Sequence, residues 1–383
     1  MSELLNKYAL HSQKPHGEAL SLPFGAYTQA EALEIEHEKV FKQDWVFVCS
    51  ELEIPQAGDY FAITLAGEPI VILRGKDGVV RALSNVCRHR GTPIVDDGFG
   101  RIEKYLTCPY HAWAYTHEGD LAAIPYNQTI AVDKSSYSLH QFPLESWNTL
   151  LFVHCGSPKF SLADRLEGLD EYLAPFDLTN FDKGRPGESE HWQCNWKLAM
   201  ENAMESYHLF KVHETTLETI TPTKSAYYLA GCSEWAITGG ESTATEGFIE
   251  SLLKDKNNPT HSHYLLVFLP PSFVGILAYG TFGWLSAYPT QTNGTLVRPG
   301  TIGLSKYLRE SRSGSEFTQA FFAEDQYICE RVQKGMQASH GQGGPLVDME
   351  RIVVNFHQYL SSRLFDGQAS EFFEDPAGAE IWR

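Results

Sequence analysis

Two short stretches of this sequence combine residues that bind metals. Cys87-Arg88-His89-Arg90-Gly91 and Cys108-Pro109-Tyr110-His111-Ala112-Trp113 each offer one thiolate and one imidazole, with residues 90–107 between His89 and Cys108. A Cys2His2 set is also a donor set for structural zinc, but a zinc finger groups two cysteines on one knuckle and two histidines on a helix. Loops that mix the two types suit a [2Fe-2S] cluster in which one iron takes both cysteines and the other both histidines. Imidazoles in place of thiolates leave such a cluster less negative, which raises its potential and lets its redox change couple to a proton.

A second constellation lies downstream, in Trp196 to Thr216. On a helix Glu201, Glu205 and His208 fall at i, i+4 and i+7, so two carboxylates and an imidazole line a face that a core helix would make apolar. His213 would point roughly 140° away from His208 at about 3.6 residues per turn, so the helix must end or bulge for the imidazoles to meet. Two hydrogen-bonded histidines at a helix end would account for this stretch taken alone. Its company with the cluster-type loops favours a metal.

The elements that must carry these groups follow from pattern. Residues 1–13 read as a polar, poorly fixed segment. Thr28-Gln29-Ala30-Glu31 has capping-box spacing ahead of an apolar stripe of Ala30, Leu33, Ile35, Val40 and Phe41, which predicts a helix. From Trp45 the runs Val46 to Cys49, Tyr60 to Leu65, Pro69 to Leu73 and Val79 to Leu83 predict short strands, punctuated by Gly58-Asp59, Ala66-Gly67 and Lys76-Asp77-Gly78. They imply a small antiparallel sandwich or barrel ending near Leu151 to His154. Residues 234–301 return to β-type runs, including Tyr264 to Leu269, Ser272 to Tyr279 and Thr281 to Tyr288, and Met349 to Leu364 reads as a closing amphipathic helix. Phe268, Phe273, Tyr279, Phe282, Trp284 and Tyr288 are candidates for an aromatic pocket or for plain core packing.

Composition narrows the class. A chain of 383 residues with 43% hydrophobic content can bury the cores of two or three domains. The formal charge of −18 argues against non-specific attachment to nucleic acid or anionic membrane and suits a basic protein partner. The longest apolar run, Tyr264 to Tyr279, is interrupted by Pro270-Pro271 and is shorter than the roughly 20 residues of a membrane span. Seven cysteines form no disulfide framework, and the first thirty residues show no secretory pattern, so a cytoplasmic location is expected.

Together the motifs resemble the α-subunit, or terminal oxygenase, of the Rieske non-haem iron ring-hydroxylating oxygenases over most of the chain. The resemblance implies an α+β architecture: an N-terminal segment, 1–44, packing on the catalytic domain; a small antiparallel β Rieske domain, 45–156; and a helix-grip catalytic domain with a large antiparallel sheet, 157–383. It makes Cys87, His89, Cys108 and His111 the cluster ligands, and His208 and His213 ligands of a mononuclear Fe(II). Glu205 takes the place of the acid that bridges the two centres, where many members have aspartate; Ala112 stands where many have glycine. The third iron ligand comes from a late helix. There Phe317, Phe321, Ile328 and Val332 form an apolar stripe on which Asp325 lies, so Asp325 is the expected ligand of a two-histidine, one-carboxylate triad, with Glu324 as the alternative.

The activity so implied is oxygenation of a small organic substrate by O2: ring hydroxylation or oxidative N- or O-demethylation, with a lean toward small polar or N-methylated compounds. Electrons come from NAD(P)H through a separate flavin and iron-sulfur reductase, with or without a ferredoxin. A homotrimeric ring, in which His111 of one subunit approaches Glu205 of the next, is the family's arrangement. A Rieske-type electron carrier, or a helix-grip ligand-binding protein without oxygenase activity, are the competing classes. The first would not need His208, His213 and Asp325, and the second would not need intact ligands at both centres.

Overall fold

The computed structural model describes residues 1–243, 258–308 and 312–383, and of residues 312–315 the backbone only. Of the predicted β region, residues 244–257 lie outside those described. The chain divides into two compact units, Phe41–Asp164 and the remainder, Met1–Val40 with Arg165–Arg383.

The smaller unit is antiparallel β. One sheet joins Gly98–Arg101, Asp59–Leu65, Glu68–Arg74, Val80–Ser84 and Gln141–Phe142 in that spatial order. A second joins Trp45–Ser50, Leu150–His154 and Leu144–Trp147, and a third Leu106–Thr107, Ala114–Tyr115 and Leu121–Ala123. The turns fall where small residues allow them. Ala66 and Gly67 both adopt positive φ, 47° and 86°, between paired Leu65 and Glu68, the twist that a two-residue hairpin requires.

In the larger unit the described residues form a nine-stranded antiparallel sheet. Its main path runs Lys183–Pro186, Gly294–Gly303, Thr281–Gln291, Phe273–Ala278, His263–Leu269, Ala236–Glu241, Tyr227–Gly231 and Phe373–Glu374, with Glu190–Trp192 also on Gly294–Gly303. Tyr264 to Leu269 is buried throughout, which explains why this stretch reads as a continuous apolar run rather than an alternating one. Phe268, Phe273, Phe282, Trp284 and Tyr288 are buried, with Phe273 in ring contact with both Phe282 and Trp284, so these are core; Tyr279 is exposed.

Two helices matter most on this sheet. Arg351–Leu364, where the closing helix was expected, buries Phe356 against Phe268 and Trp196 at ring-centroid distances of 5.3 and 5.5 Å. Full burial of such a side chain contributes about 1.5–3 kcal/mol. Trp196–Met204 starts at Asn195, whose side-chain oxygen accepts the Lys197 N–H at 3.1 Å.

Two sequence expectations for the N-terminus fail. Residues 1–13 are not loose: Glu3–Ser12 is a helix capped by Ser2, with Leu5, Tyr8 and Ser12 buried on one face. Nor does Thr28 start the next helix. It ends the short helix Gly25–Thr28 with its hydroxyl on the Phe24 carbonyl, and Gln29 is the N-cap of Ala30–Glu36. That second helix buries Glu36 rather than only apolar residues, because Glu36 has a buried partner: Lys197 lies 2.6 Å away with both side chains fully buried. Tyr8 and Trp196 donate to the same carboxylate at 2.9 and 2.7 Å.

Candidate metal centres

In the smaller unit the two cysteine–histidine loops are built alike. The Gly91 N–H donates to the Cys87 carbonyl and the Cys87 N–H to the Thr92 carbonyl; Ala112 donates to Cys108 and Cys108 to Trp113 in the same way, all at 2.8–3.0 Å. Each turn closes through a residue of positive φ, Gly91 at 76° and Ala112 at 55°. Cys87 and Cys108 are buried in one apolar cluster with Leu106, Tyr115 and Ile94, while His89 and His111 are exposed with rings 4.7 Å apart. Two inner thiols and two outer imidazoles are the donor arrangement that a cluster with one iron inside and one at the surface demands. Trp113 stacks on His89 at 4.9 Å with planes 7° apart, which fixes that ring.

Tyr115 was not singled out from the sequence, where it reads only as a strand residue. Its hydroxyl accepts the Arg88 N–H at 3.0 Å and so keeps its own hydrogen for the Cys87 Sγ, 3.4 Å away. Burial and Cys87 push the phenol pKa well up, so it remains a donor.

In the larger unit the helix carrying Glu201 does end, as the two-imidazole geometry requires. Glu205 is extended at φ −114°, ψ 164°; the chain then turns through His208 into Leu209–Val212, and His213 follows. The rings of His208 and His213 come to 5.1 Å. The third group arrives on Arg312–Gly335, where Asp325, Cys329 and Gln333 form the buried face at four-residue spacing. Val332, expected on that face, is exposed: the stripe is set by contacts with the Trp196–Met204 region, which polar groups make. Gln333 accepts the Asn195 N–H at 2.7 Å and the Cys329 thiol faces the Leu198 carbonyl at 3.7 Å, and these ties place Asp325.

The result is a compact donor set. One ligand atom each from His208, His213 and Asp325 lies within 4.8 Å of the others. Asp325 Oδ1 is 2.9 Å from His213 Nε2 and 3.6 Å from His208 Nε2. Adjacent ligands of an ion bound at about 2.1 Å and at right angles stand roughly 3.0 Å apart, so the Asp325–His213 edge has that spacing and the Asp325–His208 edge is somewhat longer. Asn202 donates to the same Asp325 oxygen at 2.6 Å. Burial works against the charge on Asp325, yet His208 and His213 hold its pKa below the ordinary value. Burial likewise disfavours a charged His208, but Glu205 and then Asp325 outweigh it and raise the imidazole to about 10. The pocket is therefore strongly cation-seeking.

Each imidazole is also held from behind. Glu205 Oε1 lies 2.5 Å from His208 Nδ1, and Glu324 Oε2 lies 2.7 Å from His213 Nδ1. Glu324 thus stands beside the donor set rather than within it. Glu201, on the polar face read from the sequence, serves elsewhere: it accepts from Tyr27 at 2.8 Å and meets His357 Nε2 at 2.9 Å.

An antiparallel β unit carrying paired cysteine–histidine turns, with a second unit that brings two histidines and an aspartate together, defines an iron oxygenase of the Rieske type. Residues 44–143 match the Rieske [2Fe-2S] domain and residues 181–365 the ring hydroxylating alpha subunit (catalytic domain). The chain belongs to the Rieske non-haem iron ring-hydroxylating oxygenases, as a catalytic alpha subunit. It is 27% identical over 357 residues to the carnitine monooxygenase oxygenase subunit of Escherichia coli (strain K12), covering 90% of this chain and 94% of that one. It is 32% identical over 200 residues to the glycine betaine monooxygenase oxygenase subunit of Chromohalobacter salexigens, a match that takes in 52% of this chain and 44% of the relative. The fold is that of a quaternary ammonium Rieske monooxygenase solved with L-carnitine, at TM-score 0.77 and 22% identity over 95% of this chain and 99% of the other. It is also that of naphthalene 1,2-dioxygenase from Rhodococcus sp. bound to indole, at 0.74 and 18% over 95% and 98%. Among the described residues no helix is long and apolar enough to cross a membrane.

Proposed function

We propose that this protein is the terminal oxygenase of a reductase-dependent system that hydroxylates a small quaternary or N-methylated ammonium compound. The observation that carries the oxygenase reading is the donor set of His208, His213 and Asp325 in the same chain as the paired loops at 87–92 and 108–113. In this reading Cys87, His89, Cys108 and His111 hold the cluster, and His208, His213 and Asp325 hold the ferrous ion. When bound, the two groups supply single electrons and the activation of dioxygen.

The chain's own residues do the rest. Asn202 and the two imidazoles keep the Asp325 carboxylate turned inward. Glu205 accepts the hydrogen bond of the His208 Nδ1–H and leaves Nε2 free for the metal. The cationic substrate class is supported by charge. Asp325, Glu205 and Glu324 place three carboxylates about one divalent ion, which leaves the centre net negative. The permanently charged trimethylammonium head of such a compound gains from this field when it faces the centre. The carnitine and glycine betaine relatives act on compounds of the favoured kind, as their names state.

Substrate-dependent oxygen uptake, with a Rieske-system reductase and NAD(P)H, tests the substrate class. Carnitine, glycine betaine and related trimethylammonium compounds should stimulate uptake and aromatic acids should not; the reverse pattern would exclude the ammonium reading. Iron content tests the class of protein. Two irons in the cluster and one at the mononuclear site give about three per chain, whereas an electron carrier would hold about two.

A further inference from the structure

We infer that Glu324 is the positioning residue for His213, the counterpart of Glu205 on His208, and that Thr216 holds it in place. The inference rests on the proposed iron set of His208, His213 and Asp325. Glu324 and Asp325 are consecutive on the helix Arg312–Gly335, so their side chains leave it about 100° apart and cannot both converge on one ion without distortion. They converge instead on one imidazole from two sides. Asp325 Oδ1 is 2.9 Å from Nε2 of His213, and Glu324 Oε2 is 2.7 Å from Nδ1 of the same ring.

A carboxylate only accepts, so Nδ1 carries the proton toward Glu324, and Nε2 would offer its lone pair to an ion held between it and Asp325. Thr216 completes the arrangement. Its hydroxyl is 2.6 Å from the same Glu324 oxygen, and its own N–H donates to the His213 carbonyl at 3.0 Å, so one turn of chain clamps both ring and carboxylate. Burial separates the two acids further. The Asp325 side chain is 11% exposed and that of Glu324 31%, which lets Glu324 keep part of its hydration and lowers the cost of a second carboxylate at the centre.

Partners of this kind fix the tautomer and raise the basicity of a ligand histidine, and their loss typically weakens metal binding about 10–100-fold. The test uses the full chain with its cluster in place and Co(II) as the probe of the mononuclear site, read by affinity and by the visible cobalt absorption. Asp325→Ala should abolish binding. Glu324→Gln should weaken it by about 10–100-fold and shift the cobalt bands, and Thr216→Val should weaken it less. Asp325→Ala binding cobalt like the parent would overturn the iron set itself. If Asp325→Ala loses cobalt while Glu324→Gln keeps parental affinity and spectrum, the Glu324 inference alone fails. Loss in Glu324→Gln as complete as in Asp325→Ala would make Glu324 a ligand instead. Should Glu324→Gln not fold, Thr216→Val decides, because it leaves both carboxylates in place: parental cobalt binding and bands in that variant overturn the inference.

Discussion

Gly91 and Ala112 occupy equivalent positions in two matched turns, each closing a cysteine–histidine loop at positive φ. Only one of them is a glycine. An alanine in the left-handed region costs roughly 1 kcal/mol relative to glycine, so Ala112 is a strained residue at a ligand loop. Ala112→Gly should stabilise the loaded β unit by about 0.5–1 kcal/mol, part of the relief being offset by glycine's greater freedom in the unfolded chain. Thermal loss of the cluster chromophore would show it as a higher midpoint. The reciprocal Gly91→Ala should cost about 1 kcal/mol, since a Cβ there meets no protein atom within 4 Å. A lower midpoint for Ala112→Gly would mean that the methyl group supports the loop.

Tyr115→Phe should leave the cluster bound and lower its reduction potential. The hydroxyl donates toward Cys87 Sγ, and a donor to a ligand sulfur stabilises the more negative, reduced form. A hydrogen bond worth about 0.5–1.5 kcal/mol corresponds to roughly 20–60 mV for a one-electron couple. Protein-film voltammetry measures it directly. An unchanged or raised potential would assign Tyr115 to packing alone.

How much of this was legible in the sequence depended on how locally each feature is determined. Cys87, His89, Cys108 and His111 sit in two tight turns, so their spacing suggested the cluster, whereas His208 and His213 in one short stretch pointed to a metal only in company with those turns and through the family resemblance. Asp325 is 112 positions from His213, and its inward face was inferred correctly from a stripe that was partly wrong. Val332 is exposed because Cys329 and Gln333, a thiol and an amide, make the contacts that apolar residues were expected to make. The helix Glu3–Ser12 was unreadable for a related reason. Tyr8 is buried by its bond to Glu36, and nothing in residues 1–13 announces a buried carboxylate elsewhere in the chain. Periodicity reads apolar faces well, and it fails where a face is buried through polar pairing.

That buried pair makes its own prediction. Lys197→Met removes the cation from Glu36, which lies fully buried and also accepts from Tyr8 and Trp196. Breaking one side of a buried pair strands the other charge at a cost of about 3–5 kcal/mol. Adding Glu36→Gln, which keeps an acceptor and removes the stranded charge, should recover a large part of the loss. Denaturant midpoints of the single and double variants, followed by tryptophan fluorescence, give the comparison. A double variant no better than Lys197→Met would mean that the lysine acts through its stem and its ring contacts with Tyr8, Tyr27 and Trp196.

The last prediction concerns Glu205, whose carboxylate serves three donors. Oε1 takes the His208 imidazole at 2.5 Å, while Oε2 takes the backbone N–H of Tyr207 and, at 3.3 Å, that of His208. Glu205→Gln has one acceptor oxygen in place of two, so it can keep the backbone turn or the imidazole contact, and its N–H2 opposes whichever donor it then faces. Loss of the imidazole contact should lower iron affinity by roughly tenfold. Turnover should fall much further if electrons reach His208 through this carboxylate from His111 of a neighbouring subunit, as the family resemblance implies. Saturating Fe(II) separates the two effects, because it restores occupancy without restoring the charge. Under that condition a pre-reduced cluster mixed with oxygen and substrate should reoxidise far more slowly in Glu205→Gln than in the parent. Reoxidation at the parental rate would show that Glu205 holds the ring and that electrons arrive by another route.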